Sequence, residues 1–285
     1  MAESPYLSSQ ADGLLARESG PWVAEKLTYL KRYIEVFETS MKDKWADRSY
    51  IDLFSGPGKC IDRKSSQTHL GSPLIALTTK YPFTAYYFVD AVEANVNALK
   101  KRCSASPLYD RVNARVGDAN TEVVALVEEV RRTPSLNLAF LDPEGLELHW
   151  QTVAELALVD KMDLIIHYPQ MGLSRWMPRV IDAEGTNDVD RFFGGTQWRT
   201  VFEAHRRGEE AFLHRELMDH YKANLAQLGY QEALRDDEVG IEPLMVNEKA
   251  APLYRLLFAS KHPLGIKFWR KITDKDSHGQ RRLFS

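Results

Sequence analysis

Tyr50-Ile51-Asp52-Leu53-Phe54-Ser55-Gly56-Pro57-Gly58 is the stretch on which the reading of this chain turns. A short apolar run is stopped at once by a turn that holds two glycines. In an open α/β sheet, ligands bind beyond the carboxyl ends of the strands, where the strand order reverses. Gly56 and Gly58 lack a Cβ, so the backbone there can turn tightly and come close to a ligand. Asp52 stands inside the turn, placed to order the loop amides or to meet a cationic group. The expected cofactor-binding loop is therefore Asp52, Phe54, Ser55, Gly56, Pro57 and Gly58. A turn that simply needs two glycines is the plainer alternative.

The segments on either side extend the pattern. Before the loop, residues 22–42 set Leu27, Leu30, Ile34, Phe37 and Met41 at helical spacing, one buried stripe of an amphipathic helix. After it, a polar loop with Lys59, Arg63, Lys64 and His69 leads to Gly71-Ser72-Pro73, which reads as a helix start with Ser72 as N-cap and Pro73 first in the helix. Strands are expected at 83–89, 112–116, 136–141 and 163–167. Helices are expected between them at 93–102, 120–131 and 150–159, the second with Val123, Val124, Leu126 and Val127 facing inward. This alternation predicts an α/β fold with a mostly parallel sheet.

From 171 to about 235 the rhythm gives way to a helical insertion. Helices are expected at 201–205 and 209–228, with Arg191-Phe192-Phe193-Gly194-Gly195 as a turn before them. Strand character returns at 241–246 and 253–259. The loop between them is too short for a parallel crossover, so a C-terminal antiparallel hairpin follows. Residues 1–20 read as a flexible start, and 21–285 as a single domain.

Composition narrows the class. A chain of 285 residues, 44% hydrophobic and 27% charged, has the balance of a globular enzyme. A net charge of −3 offers no global attraction to nucleic acid, so any such contact needs a local patch. Cys60 and Cys103 are too few for a disulfide framework or a four-cysteine zinc site and suit a reducing compartment. Without a signal peptide or an apolar run of about 20 residues, the expectation is a cytoplasmic protein with no membrane contact. No metal site is expected.

Two more strand ends carry acids. Asp90 closes the second strand, where a carboxylate can take both hydroxyls of a ribose. Asp118 closes the third, followed by Ala119, and can accept from the exocyclic amine of an adenine. Singly, such aspartates are ordinary turn or cap residues; on successive strands beside a glycine loop they suggest a nucleoside site. A nicotinamide-type fingerprint would need glycine at Ile61 and an immediate helix, and the basic loop stands there instead.

Phe140-Leu141-Asp142-Pro143-Glu144-Gly145, Gly71-Ser72-Pro73-Leu74, Phe192-Phe193-Gly194 and 256–265, taken with the opening loop, resemble the three-Cys-motif partner (TcmP) family over about 22–272. That resemblance implies a Rossmann-like class I methyltransferase sheet, S-adenosylmethionine as cofactor, and a partner protein bearing a three-cysteine motif. The family pattern has an aromatic after Asp-Pro, where this chain has Glu144. Base-methylating enzymes grip an amine and stack its ring with Asp-Pro-Pro-aromatic, so the departure bears on the acceptor.

Asp142, Pro143 and Glu144 are the candidate catalytic residues. Methyl transfer is a displacement in which the protein mainly orients the acceptor. Asp142 can accept from an acceptor amine or take a hydroxyl proton, and Glu144 can share that work. The bland alternative is a turn with a solvated glutamate. His149, His167 and Tyr168 are further candidates on neighbouring loops. A basic C-terminal stretch with Lys261, Lys267, Arg270, Lys271, Lys275, Arg281 and Arg282 against Asp274 and Asp276, interleaved with Phe268 and Trp269, can contact nucleic acid. Its alternative is a surface helix with those aromatics in the core. Trp176, Trp198, Phe192 and Phe193 mark the insertion as an acceptor or partner surface. The expected function is S-adenosylmethionine-dependent methyl transfer, with nucleic acid or a modified nucleotide as acceptor; the other reading is a non-catalytic partner subunit.

Overall fold

The alternation of short apolar runs and amphipathic segments folds into a mixed α/β structure around one seven-stranded, mostly parallel sheet. The computed structural model describes residues 4–209, 212–230 and 242–275. Parts of the sequence reading fall on 1–3, 210–211, 231–235, Ile241, Asp276, Arg281 and Arg282, which lie outside the described residues.

The first half runs β1 (Arg17–Ser19), α1 (Trp22–Met41), β2 (Arg48–Asp52), β3 (Lys59–Asp62), β4 (Thr68–Leu70), α2 (Ser72–Leu77), β5 (Ala85–Asp90), α3 (Glu93–Cys103), β6 (Val112–Val116), α4 (Ala119–Val130) and β7 (Leu136–Leu141). The second half runs α5 (Trp150–Leu156), β8 (Met162–Tyr168), α6 (Gln170–Val180), α7 (Asp188–Phe193), α8 (Trp198–Arg206), α9 (Leu213–Gln227), β9 (Leu244–Val246), β10 (Pro252–Ala259) and α10 (Pro263–Thr273).

In space the large sheet is ordered β6-β5-β2-β7-β8-β10-β9. The first five strands are parallel, whereas β10 is antiparallel to both β8 and β9. The expected C-terminal hairpin is present, and its second strand is the one that joins β8. Strand order reverses between β2 and β7, which places a crevice at their carboxyl ends.

Alternate residues of each strand enter two cores. Tyr50, Phe88, Leu138, Phe140 and Ile165 pack with α1, α2, α3 and α10. Ile51, Val89, Ala139, Leu141, Leu164 and Ile166 pack with α4, α5 and the insertion helices. Burial on both faces is why these strands read as apolar runs.

Several local expectations change. β2 ends at Asp52, two residues early, because the Asp52 carboxylate already captures the Phe54 amide at 3.2 Å. Gly71, not Ser72, is the N-cap of α2. Val124 is 48% exposed; Val123, Leu126, Val127 and Val130 make the inner face of α4. The segment expected as a turn at 191–195 is the end of α7, opened by an Asn187–Asp190 capping box and stopped by left-handed Gly194. α6 forms where no helix was expected. Phe192, Phe193 and Trp198 are buried in the same core as the sheet, and Trp176 stays exposed.

The start, expected to be flexible, has partners. β1 runs parallel to β3, and β3 pairs antiparallel with β4, so the expected polar loop is a hairpin of a small second sheet. Asp62 closes its turn by accepting from the Lys64 and Ser65 amides at 2.8 and 2.7 Å.

Candidate active site

The glycine loop is held from three sides. Gly56 N donates to Asp90 Oδ2 at 2.8 Å, Arg102 donates to the Pro57 carbonyl at 2.5 Å, and Gly71 N donates to the Gly58 carbonyl at 2.7 Å. Gly56 has φ +58° and Gly58 φ +88°, a region that L side chains rarely adopt. A Cβ on Gly58 would stand 2.8 Å from Leu99 Cδ1, whereas one on Gly56 would meet open space. The loop is thus tight beneath Gly58 and open above Gly56.

Asp52 lies under this loop, fully buried. Its Oδ2 has no partner of hydrogen-bond geometry, although the Ser72 hydroxyl is close enough to favour the charged form. Burial pushes its pKa up to about 7, with the Asp142 and Asp90 charges adding to the rise. The folded value exceeds the ordinary carboxyl value of about 3.9. The stability that protonated Asp52 lends is therefore complete below about 3.9 and is lost as pH rises through about 7. Asp52→Asn keeps an acceptor for the Phe54 amide and removes the charge. It is expected to raise the melting temperature at pH 8.5 by several degrees more than at pH 5; equal shifts in thermal melts at the two pH values would refute this.

A buried hub ties the N-terminal segment to the loop. Asp12 receives Arg102 Nη2 at 2.8 Å and Lys59 Nζ at 2.8 Å, and all three side chains are at most 3% exposed. Lys59 also donates to the Pro5 and Gln10 carbonyls, and Arg102 to those of Leu14 and Leu15. This anchoring delivers Arg17 and Glu18 to the mouth of the site.

A cavity of about 360 Å³ opens between the loop, the ends of β7 and β8, α1 and α6. Asp142, the first residue beyond β7, forms its floor with His167 from β8. Lys26 of α1 makes an ion pair with one Asp142 oxygen, and His167 Nδ1 lies 3.0 Å from the other. Burial alone would raise the Asp142 pKa; the Lys26 charge and the His167 hydrogen bond outweigh it and hold the carboxyl well below its usual range. Burial lowers the His167 pKa against the opposing pull of Asp142, so the imidazole is neutral at pH 7. A charged acceptor at Nδ1 assigns the ring proton there and leaves the lone pair on Nε2. The Tyr254 ring stacks on the imidazole at 4.2 Å and 28°. At the mouth, Glu144 pairs with Arg17 at 3.0 Å.

The cavity brings together Phe54, Ser55, Gly56, Pro57, Gly58, Asp142, Pro143, Glu144 and His167. Other candidates stand apart from it. Asp90 holds the loop from behind, its Oδ1 taking the Val92 amide and Asn95 Nδ2, each at 2.9 Å. Asp118 is the N-cap of α4, with Oδ1 accepting from the Asn120 and Thr121 amides, and Ala119 is buried as the first residue of that helix. His149 precedes α5, and Tyr168 is buried with its hydroxyl 3.4 Å from His214. Lys261 donates to the Ala157 and Val159 carbonyls, and Trp269 is buried, stacked on Phe258 at 5.1 Å, so only Lys267 and Lys271 of α10 point a charge at solvent without such ties.

Lys26, Arg17, Tyr254, Arg175 and Trp176 also line the cavity and were not among the sequence candidates for catalysis. Lys26 left a signal: it falls in helical spacing with Leu30, Tyr33 and Phe37, a charge set on the buried stripe of α1. Arg17 and Tyr254 left none, because their place depends on pairing between segments distant in sequence. Among the described residues no group of three His, Cys, Asp or Glu side chains could hold a metal ion, and no helix is long and apolar enough to cross a membrane.

Comparison of the sequence with protein-family models and with curated proteins gave no match. Among solved structures, the chain is similar to protein LPL1258 from Legionella pneumophila str. Philadelphia 1, described as family-model DUF519, with 14% identity, a TM-score of 0.46, and 88% of this chain and 92% of that one covered. It is also similar to a conserved hypothetical protein of Streptococcus pyogenes, with 15% identity, a TM-score of 0.32, and 47% and 74% covered. Neither is described by an activity.

Proposed function

We infer that the chain transfers a methyl group from S-adenosylmethionine to an acceptor in this cavity, nucleic acid or a modified nucleotide being the favoured class. The observation that carries the reading is the meeting of the Gly56-Pro57-Gly58 loop with the Asp142–His167 pair across one cavity, at the reversal of strand order. Counting only its own strands in chain order, the large sheet runs 3-2-1-4-5-7-6. The inserted antiparallel strand departs from the 3-2-1-4-5-6 order of dinucleotide folds. It suits the class I methyltransferase sheet that the resemblance to the TcmP family implies.

The residues fit the cofactor. Ser55, which lines the cavity, has a buried Oγ without a hydrogen-bond partner. With Gly56 N on Oδ2 and Val92 N and Asn95 Nδ2 on Oδ1, Asp90 keeps one acceptor site on Oδ2 for a ribose hydroxyl, and the hydrogen bonds to Asp118 all fall on Oδ1, leaving Oδ2 for an amine. Val92 and Val116, 53% and 45% exposed, follow Asp90 and precede Gly117-Asp118 and offer apolar surface to an adenine ring. The Lys26–Asp142 and Arg17–Glu144 pairs leave the floor close to charge balance, which a cationic ligand tolerates.

Bound there, S-adenosylmethionine supplies an electrophilic methyl carbon. Asp142, held charged by Lys26, is a weak proton acceptor, so the base is His167. The acceptor's O–H or N–H proton passes to Nε2, and Asp142 stabilises the imidazolium that forms. Tyr254 keeps the ring in plane. Asp142 therefore serves as a positioning residue.

Isothermal titration tests the cofactor. S-Adenosylmethionine is expected to bind and NAD not to, and Asp90→Ala, which frees Gly56 N, is expected to weaken the affinity about tenfold or more. Binding of NAD in its place would sink the reading. Cofactor binding without labelled-methyl transfer to RNA, DNA or lysate would favour the non-catalytic subunit of a three-Cys-motif protein.

A further inference from the structure

The cations that line the cavity are matched except for one. Lys26 pairs with Asp142, Arg17 with Glu144, Arg63 with Glu18 at 3.5 Å, and Lys59 with Asp12. Arg175 also lines the cavity, and among the described residues it has no acidic partner. Its helix, α6, carries Arg175 and Arg179 and no acid. Trp176, next to Arg175, is 47% exposed, with the Arg179 guanidinium over its ring at 5.3 Å. A cation on one face of an indole leaves the other face open for stacking.

We propose that Arg175, Trp176 and Arg179 of α6 form a surface that holds a nucleotide unit of the acceptor, Arg175 taking a phosphate and Trp176 a base. An unpaired guanidinium suits a phosphate oxygen pair, and a flat exposed indole suits a base of any kind. An acidic peptide would use the arginines and leave the indole without a role. The floor at His167 lies behind this mouth, so a base must be out of a duplex to reach it. The commitment is to a single-stranded or free nucleotide, and it rests on taking the cavity as the methyl-transfer site. It moves nucleic-acid contact from the segment around α10, where Lys261 before the helix and Trp269 within it are tied into the fold, to α6.

The test is fluorescence anisotropy with a short fluorescein-labelled single-stranded RNA, without cofactor, so that its outcome is separate from the S-adenosylmethionine titration. Arg175→Glu is expected to weaken binding about tenfold or more and to flatten its salt dependence. Trp176→Ala is expected to weaken it on the order of tenfold. Both residues are exposed, and thermal melts confirm that the variants fold. Competition by AMP at similar concentration assigns the surface to free nucleotides, and its failure assigns it to strands; either keeps the proposal. Absence of binding by both RNA and AMP overturns it, as does binding unmoved by the two α6 variants or weakened only by Lys267→Glu with Lys271→Glu.

Discussion

Asp12→Ala is expected to cost about 3–5 kcal/mol of folding free energy and to lower the melting midpoint by roughly 10 °C. The substitution removes a single carboxylate but leaves Lys59 and Arg102, 1% and 0% exposed, without a counter-charge. The carbonyls around them satisfy their donors and cannot neutralise them. The loss of one partner from a buried ion pair is far more costly than the net worth of the pair, because the remaining charge stays desolvated. Burial alone would raise the Asp12 pKa; hydrogen bonds from Arg102 and Lys59 reverse that and hold it well below the usual range. With a lowered folded value, the contribution is present above the ordinary carboxyl pKa and is lost as pH falls beneath it. Cofactor affinity should fall too, since Arg102 also fixes the Pro57 carbonyl. A midpoint within two degrees or so of wild type in thermal melts would show that the hub does not stabilise the fold.

His167→Asn should reduce methyl transfer by about 10²–10⁴-fold, the usual contribution of a positioned general base. Affinity for S-adenosylmethionine should stay nearly unchanged, because no residue of the glycine loop is touched. His167 is a cleaner target than Asp142, whose removal would strand Lys26 as a buried charge beside the cavity. In the wild type, burial places the imidazole pKa below its ordinary value of about 6.5. The rise of kcat/KM with pH should therefore end below about 6.5 and stay flat through neutrality. Full turnover in His167→Asn, measured by labelled-methyl transfer, would remove His167 from the mechanism. A limb above pH 7 would point to another base.

The alternating architecture was legible because each parallel strand and its helix carry their own periodicity. Strands β5 to β8 and helices α3 to α5 fall within a few residues of where the apolar patterns put them. The small sheet was not legible. β1, β3 and β4 have three or four residues each, with polar side chains among them; β3 and β4 form a short local hairpin, and β1 joins it only through pairing across 43 positions, as in Arg17 with Cys60. The same holds at the site. The glycine loop and Asp142 stand in local motifs, so their meeting followed from the fold. The partners that set the chemistry of Asp142 come from α1 and β8, and no local pattern links Lys26 to a residue 116 positions away. His167 was visible as a candidate, but its bond to Asp142 depends on β7 and β8 lying side by side, with Leu141 opposite Ile166.

The anchoring of Asp12 also sets an order of assembly. Asp12 emerges in synthesis before Lys59 and long before Arg102, so the segment that borders the cavity has no seat while the first strands are made. Its docking waits until α3 has been synthesised and packed against β5 and β6, since Arg102 is carried on that helix. Domains close local contacts early and distant ones late. The N-terminal arm is therefore an early product and a late arrival, seated only once α3 is in place, while the floor of the cavity still waits for β7, β8 and β10.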